Sequence, residues 1–145
     1  MIKKSFLFAL VLIIGMVHLA LAQKADDILG QWYTTEKDAK IEIFEEGGKY
    51  FGKVVWLKDP LENGKPILDA NNVDKSKRNR KILGMKLLED FEFKGKSWEN
   101  GIVYDPRNGK SYSSTIKKKS NGVLEVRGFV GLSLIGRTVE WTKAQ

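Results

Sequence analysis

Residues 101–112 read Gly101-Ile102-Val103-Tyr104-Asp105-Pro106-Arg107-Asn108-Gly109-Lys110-Ser111-Tyr112. The middle of this stretch is a turn on chemical grounds. Pro106 presets φ, and Asn108-Gly109 accepts the left-handed backbone that a reversal needs. It joins two extended segments, 101–104 and 110–118. The same pattern repeats outward in both directions. Lys94-Gly95-Lys96 turns the strand candidate 85–93 into 97–104, Ser120-Asn121-Gly122 turns into 123–130, and 131–136 leads into 137–143. Upstream, the alternating Lys40-Ile41-Glu42-Ile43 is followed by Gly47-Gly48, a two-residue hairpin signal, and then by 49–57. With 31–35 this makes about eight strands joined mostly by tight turns. The expected fold is all-β, a single antiparallel up-and-down β-barrel, because closure removes the exposed edges that a meander would carry. Residues 24–29, with Asp26 and Asp27 near the start, predict one short N-terminal helix.

Residues 1–22 carry a different signal. A basic start with Lys3 and Lys4, an apolar run over 6–17 and the small residues of Ala20-Leu21-Ala22 have the order of a secretory signal peptide cleaved before Gln23. The expected mature chain, 23–145, is one domain with no membrane span, and its location is periplasmic or secreted. Without cysteine it is not a lipoprotein. Removing 1–22 takes away Lys3, Lys4 and His18 and leaves 23 basic against 18 acidic side chains and no histidine. That excludes Ser-His-Asp and Cys-His nucleophiles, imidazole or thiolate metal sites and disulfides. No catalytic residue, metal or cofactor is expected. Gly95-Lys96-Ser97 and Gly109-Lys110-Ser111 lack the upstream glycine of a phosphate loop, Asp90 and Tyr104 standing in its place, so both are turns.

Residues 59–81 do not fit the meander. They hold Pro60, Pro66 and the basic cluster Lys75, Lys77, Arg78, Arg80 and Lys81. A connection this long is more often functional or mobile than an ordinary hairpin loop. Arg78 and Arg80 either belong to a solvated loop or fold back over the barrel mouth. No aromatic residue interleaves with the cluster, so it offers no stacking platform for nucleic acid.

Four segments resemble a family of exported bacterial proteins, domain-of-unknown-function family 2147. They are Ile28-Leu29-Gly30-Gln31-Trp32, then 78–84, then 101–112, and finally Arg127-Gly128-Phe129-Val130-Gly131 with Gly136-Arg137-Thr138 and Trp141. Lys81 stands where the family usually carries proline. The family brings no established activity and hence no catalytic residue. A second resemblance concerns fold: Gly30-x-Trp32 on the first strand and Arg137 on the last are similar to the calycin and lipocalin pattern. It implies Trp32 and Arg137 as a barrel-closing pair, an indole beneath a guanidinium.

An eight-stranded barrel can hold one small ligand if its interior leaves room. The expected function is therefore non-enzymatic binding of a small apolar or amphipathic molecule. The candidate ligand-binding residues are Arg127, Tyr104, Tyr112, Trp56, Tyr50, Arg78 and Arg80. Alternation places Tyr50, Val54 and Trp56 on one face without saying whether that face is the inside. Arg127 shares a face with Glu125 and Phe129, where an inward charge would need a partner or an anionic ligand. The alternative reading is an envelope interaction module that docks a protein or anionic glycan through 59–81. A third is a hydrolase resting on carboxylates, which needs two acids converging in one pocket.

Overall fold

The computed structural model describes residues 23–132 and 134–145. The segment read as a signal peptide, 1–22, lies outside the described residues. Ten strands follow in chain order: β1 (Gly30–Tyr33), β2 (Ala39–Glu46), β3 (Lys49–Leu57), β4 (Leu61–Glu62), β5 (Lys65–Pro66), β6 (Lys86–Phe93), β7 (Trp98–Asp105), β8 (Lys110–Lys118), β9 (Leu124–Phe129) and β10 (Gly136–Lys143). Eight of them close a barrel in the order β1-β10-β9-β8-β7-β6-β3-β2, every neighbouring pair antiparallel. β1 pairs with both β2 and β10, so the sheet keeps no free edge. β4 and β5 form a separate small hairpin inside the 59–81 segment.

Alternation along each strand decides what is buried. Ile41 and Ile43 on β2, Tyr50 and Val54 on β3, and Leu124 and Val126 on β9 face inward, alternating with more exposed neighbours. Trp32, Phe91 and Trp98 fill the interior toward one end and are almost completely buried. On the outer wall Phe44 stacks on Phe51 at 5.7 Å, and the Lys53 and Lys86 ammonium groups lie over these rings. Charged stems thereby cover apolar surface that the sheet cannot bury.

Two expectations need correction here. The described residues contain no α-helix: the expected short N-terminal helix is a single 3-10 turn, Ala25–Ile28. Its carbonyls are already engaged. The Trp98 indole donates to the Ala25 carbonyl at 2.9 Å and the Trp32 indole to the Ile28 carbonyl at 2.8 Å, so these oxygens serve the barrel rather than a growing helix. The second correction is the Trp32–Arg137 pair. The β1–β10 register sets Trp32 opposite Lys143, whereas Arg137 is the second residue of β10, about 20 Å away along the strand. The cation over the Trp32 ring is the Lys143 ammonium, 4.6 Å from the ring centre.

Candidate functional site

The two ends of the barrel are built differently. At one end the 3-10 turn acts as a plug. Besides the two indole bonds, the Tyr50 hydroxyl donates to Asp26 at 2.7 Å and the Lys118 ammonium to the Asp27 carbonyl at 3.3 Å. Lys143 donates to the Leu29 carbonyl at 2.6 Å. Burial, with Lys118 nearby, lowers the pKa of Lys143. Gly30 makes room for it: its φ is +109°, and a Cβ there would stand 2.6 Å from the Lys143 nitrogen. That is the physical content of the Gly-x-Trp sequence in this chain.

The opposite end is open. The β1–β2, β7–β8 and β9–β10 connections and the long 58–85 excursion surround a cavity of about 570 Å³. Its wall is apolar, with Val54, Leu57, Val103, Val126, Val139 and Trp141 among the lining side chains. Along β10 the lining runs from exposed Arg137 through half-buried Val139 to buried Trp141, a gradient from wet mouth to dry floor. The rim is polar and carries Glu36, Asp38, Asp105, Arg107 and Asn108. Asp38 accepts from the Thr34 hydroxyl at 2.7 Å and lies 3.8 Å from Arg107, while Asp105 accepts from the Arg107 amide at 2.9 Å. Asp38 and Asp105 thus organise turns.

Of the sequence candidates, Tyr104 and Tyr112 line this cavity. Asn108 donates to the Tyr112 hydroxyl at 2.7 Å, which ties the β7–β8 turn to the wall. Tyr50 belongs to the plug at the other end. Trp56 is on the outside: a bulge between Lys40 and Ile41 inserts one extra residue on β3, so Trp56 turns outward and Leu57 inward. There it meets Tyr33 edge-on at 6.1 Å with Lys40 over both rings. Arg127 lies outside the cavity, where it donates to the Thr138 hydroxyl at 3.2 Å. Its alternation partners are the half-buried residues of β9, while Leu124 and Val126 face inward. Arg78 and Arg80 are exposed, do not line the cavity and bond within their own segment. The Arg78 Nε donates to the Asn72 carbonyl at 2.7 Å.

Arg80 reaches a residue that sequence reasoning missed. Asp69 is completely buried and accepts from Asn72 at 2.7 Å, from Arg80 at 3.0 Å and from the Tyr104 hydroxyl. Burial pushes its carboxyl up, but the bonds from Asn72, Tyr104 and Arg80 outweigh burial and hold it below the ordinary value. Burial and Asp69 together raise the Tyr104 phenol from 10.0 to about 12. Both shifts run the same way, favouring the charge on the carboxylate and the proton on the phenol. Asp69 is a clamp that pins the excursion to the barrel wall. Among the described residues, no group of three or more His, Cys, Asp or Glu side chains is placed to hold a metal.

The family of uncharacterized proteins conserved in bacteria, DUF2147, matches residues 30–143. The chain belongs to this family. No curated protein matches the sequence. Among solved structures it is similar to protein HP1028 from the human pathogen Helicobacter pylori, described as belonging to the lipocalin family, with a TM-score of 0.70 and 26% identity over 81% of this chain and 82% of that one. The eight-stranded closed barrel seen here is thus a lipocalin-like architecture within the DUF2147 family.

The Tyr50 phenol is raised to about 12 as well, by burial and by Asp26. This gives a pH prediction. In the unfolded chain both phenols ionise near 10.0, whereas in the barrel they keep their protons to about 12. Between those values the unfolded state holds fewer protons than the folded state, so stability falls as pH rises through that window. Urea midpoints across this range should drop steeply for the native sequence and less for Tyr50→Phe/Tyr104→Phe. Equal slopes would contradict the two environments.

Proposed function

We propose that this protein is a non-enzymatic binding protein that takes a small apolar or amphipathic molecule into the open end of its barrel. The observation that carries the reading is the cavity of about 570 Å³ with an apolar wall and a polar, charged rim. Its volume lies within the usual range for ligand pockets, about 300–1,000 Å³. The wall supplies burial for a hydrocarbon body, and the rim supplies Arg107, Arg137, Asn108 and Tyr112 for a polar end. The lipocalin-like architecture supports the same reading.

Titration with 1-anilinonaphthalene-8-sulfonate, an amphipathic fluorophore, tests it. The native sequence should bind the dye saturably and release it to a long-chain carboxylate competitor. Val139→Trp places an indole in mid-cavity, and Val103→Trp does so from another wall. Each should weaken binding by at least about tenfold while the chain stays folded, since filling the space removes roughly 1.4 kcal/mol or more of apolar burial. Dye binding that is unaffected by both substitutions sinks the proposal.

A further inference from the structure

We propose that the open end of the barrel docks on an anionic lipid surface, led by the tip of the β9–β10 hairpin. The tip presents Val130, Leu132, Leu134 and Ile135, exposed by 62%, 76%, 86% and 72%. Two backbone bonds tie the described residues of this tip: the Val130 amide donates to the Ile135 carbonyl, and the Ile135 amide to the Leu132 carbonyl, both at 3.1 Å. Four large apolar side chains held in water within six positions form a patch of the sort that marks an interaction site.

The remaining exposed apolar side chains say which way the molecule faces. Trp56, Leu61, Leu68, Val73 and Leu83 are also exposed, and all five lie at the mouth end or on the excursion that surrounds it. Of the large apolar residues exposed among the described ones, Ile102 alone is elsewhere, within β7. The barrel therefore has one apolar end, and that end is also cationic. Lys75, Lys77, Arg78, Arg80 and Lys81 are exposed on the excursion, and Arg137 stands at the foot of the hairpin. The acids of this end are Glu36, Asp38, Asp59, Glu62, Asp69, Asp74 and Asp105, of which Asp69 pairs with Arg80, Asp74 with Lys77 at 3.9 Å and Asp38 with Arg107. With Lys37, Lys58, Lys65, Arg107 and Lys110 the bases still outnumber them.

Apolar tips flanked by lysine and arginine match the boundary between headgroups and acyl chains of an anionic bilayer. Protein interfaces are depleted in lysine. Two copies meeting mouth to mouth would set the cationic clusters against each other. Val130 and Ile135 also line the cavity, so docking in this pose turns the mouth toward the lipid. The inference does not require an occupied cavity, and its failure leaves the binding reading standing.

The test is co-sedimentation with phosphatidylcholine vesicles containing about 30% phosphatidylglycerol, compared with phosphatidylcholine alone. The protein should partition onto the anionic vesicles, and raising salt from roughly 0.05 to 0.5 M should weaken it. Leu132→Asp/Leu134→Asp should reduce partitioning by about 100-fold while dye binding in the cavity persists. Lys75→Gln/Lys77→Gln/Lys81→Gln should reduce it by roughly tenfold or more. Because the chain has no cysteine, Leu134→Cys labelled with a nitrobenzoxadiazole dye reports the tip alone. Its emission should rise and shift blue on anionic vesicles. No partitioning, no dye response, or partitioning indifferent to the aspartates overturns the proposal. Self-association abolished by the same aspartates, without vesicle binding, overturns it in favour of a second copy.

Discussion

Trp32→Ala is expected to destabilise the barrel by ~3–5 kcal/mol. The indole is 1% exposed, and its N–H satisfies the Ile28 carbonyl at 2.8 Å. Its face carries the Lys143 ammonium, which in turn holds the Leu29 carbonyl. Truncation therefore does three things together. It opens a cavity beneath the plug, leaves a buried carbonyl without its donor, and takes the aromatic face from a partly desolvated cation. The loss should appear as a lower urea midpoint and as faster hydrogen exchange at the plugged end. Trp56→Ala, on the outer wall at 38% exposure, should cost less than about 1 kcal/mol. Similar costs for the two would show that Trp32 does not close the barrel.

Gly109→Ala is expected to be nearly as damaging, at ~3–4 kcal/mol, although it adds a single methyl group. Gly109 sits at φ +72°, and a Cβ there would stand 1.7 Å from the Asn71 carbonyl oxygen, a contact no small adjustment relieves. The excursion must lift away from the β7–β8 turn. That breaks the bond from the Val73 amide to the Gly109 carbonyl at 3.2 Å and those from the Asn71 side chain to the Pro106 and Arg107 carbonyls. It also loosens the neighbouring clamp of Asp69, Asn72, Arg80 and Tyr104. Gly122→Ala is the control: φ is +85° there, but nothing lies within 4 Å of the added carbon. It should cost only the backbone strain, about 1–2 kcal/mol. Equal losses at the two turns would mean that the excursion does not rest on Gly109.

The contrast between these glycines shows what the sequence made legible. Both turns are readable as turns, since Asn-Gly supplies the needed backbone whatever surrounds it. The strands are readable because alternation is a local property, and the eight-stranded closure follows from short connections that leave few other ways to hide the edges. What Gly109 packs against is not local. Neither is Asp69, whose partners Arg80 and Tyr104 lie 11 and 35 positions away. Nothing in Pro66-Ile67-Leu68-Asp69-Ala70 distinguishes a buried carboxylate from a solvated one.

The cation over Trp32 illustrates the same limit. The resemblance supplied the indole and the idea of a cation, but the choice between Arg137 and Lys143 rests on strand register, which is set by every hairpin in between. The one-residue bulge on β3 likewise reverses Trp56 and Leu57, so simple alternation put an outer-wall tryptophan on the face of Val54. Tyr104 and Tyr112 were legible as candidates only as aromatics of an all-β chain, of which a few line any cavity. The apolar wall was legible as strand residues, not as the lining of an open space.

Native mass spectrometry of the protein isolated from its own host, without organic solvent, tests the central claim most directly when run beside Val139→Trp prepared identically. The account predicts that the native sequence carries one additional small molecule, released by solvent extraction, and that the filled variant arrives bare. Two bare proteins, or the same adduct retained on both, would contradict a ligand site inside the open end of the barrel.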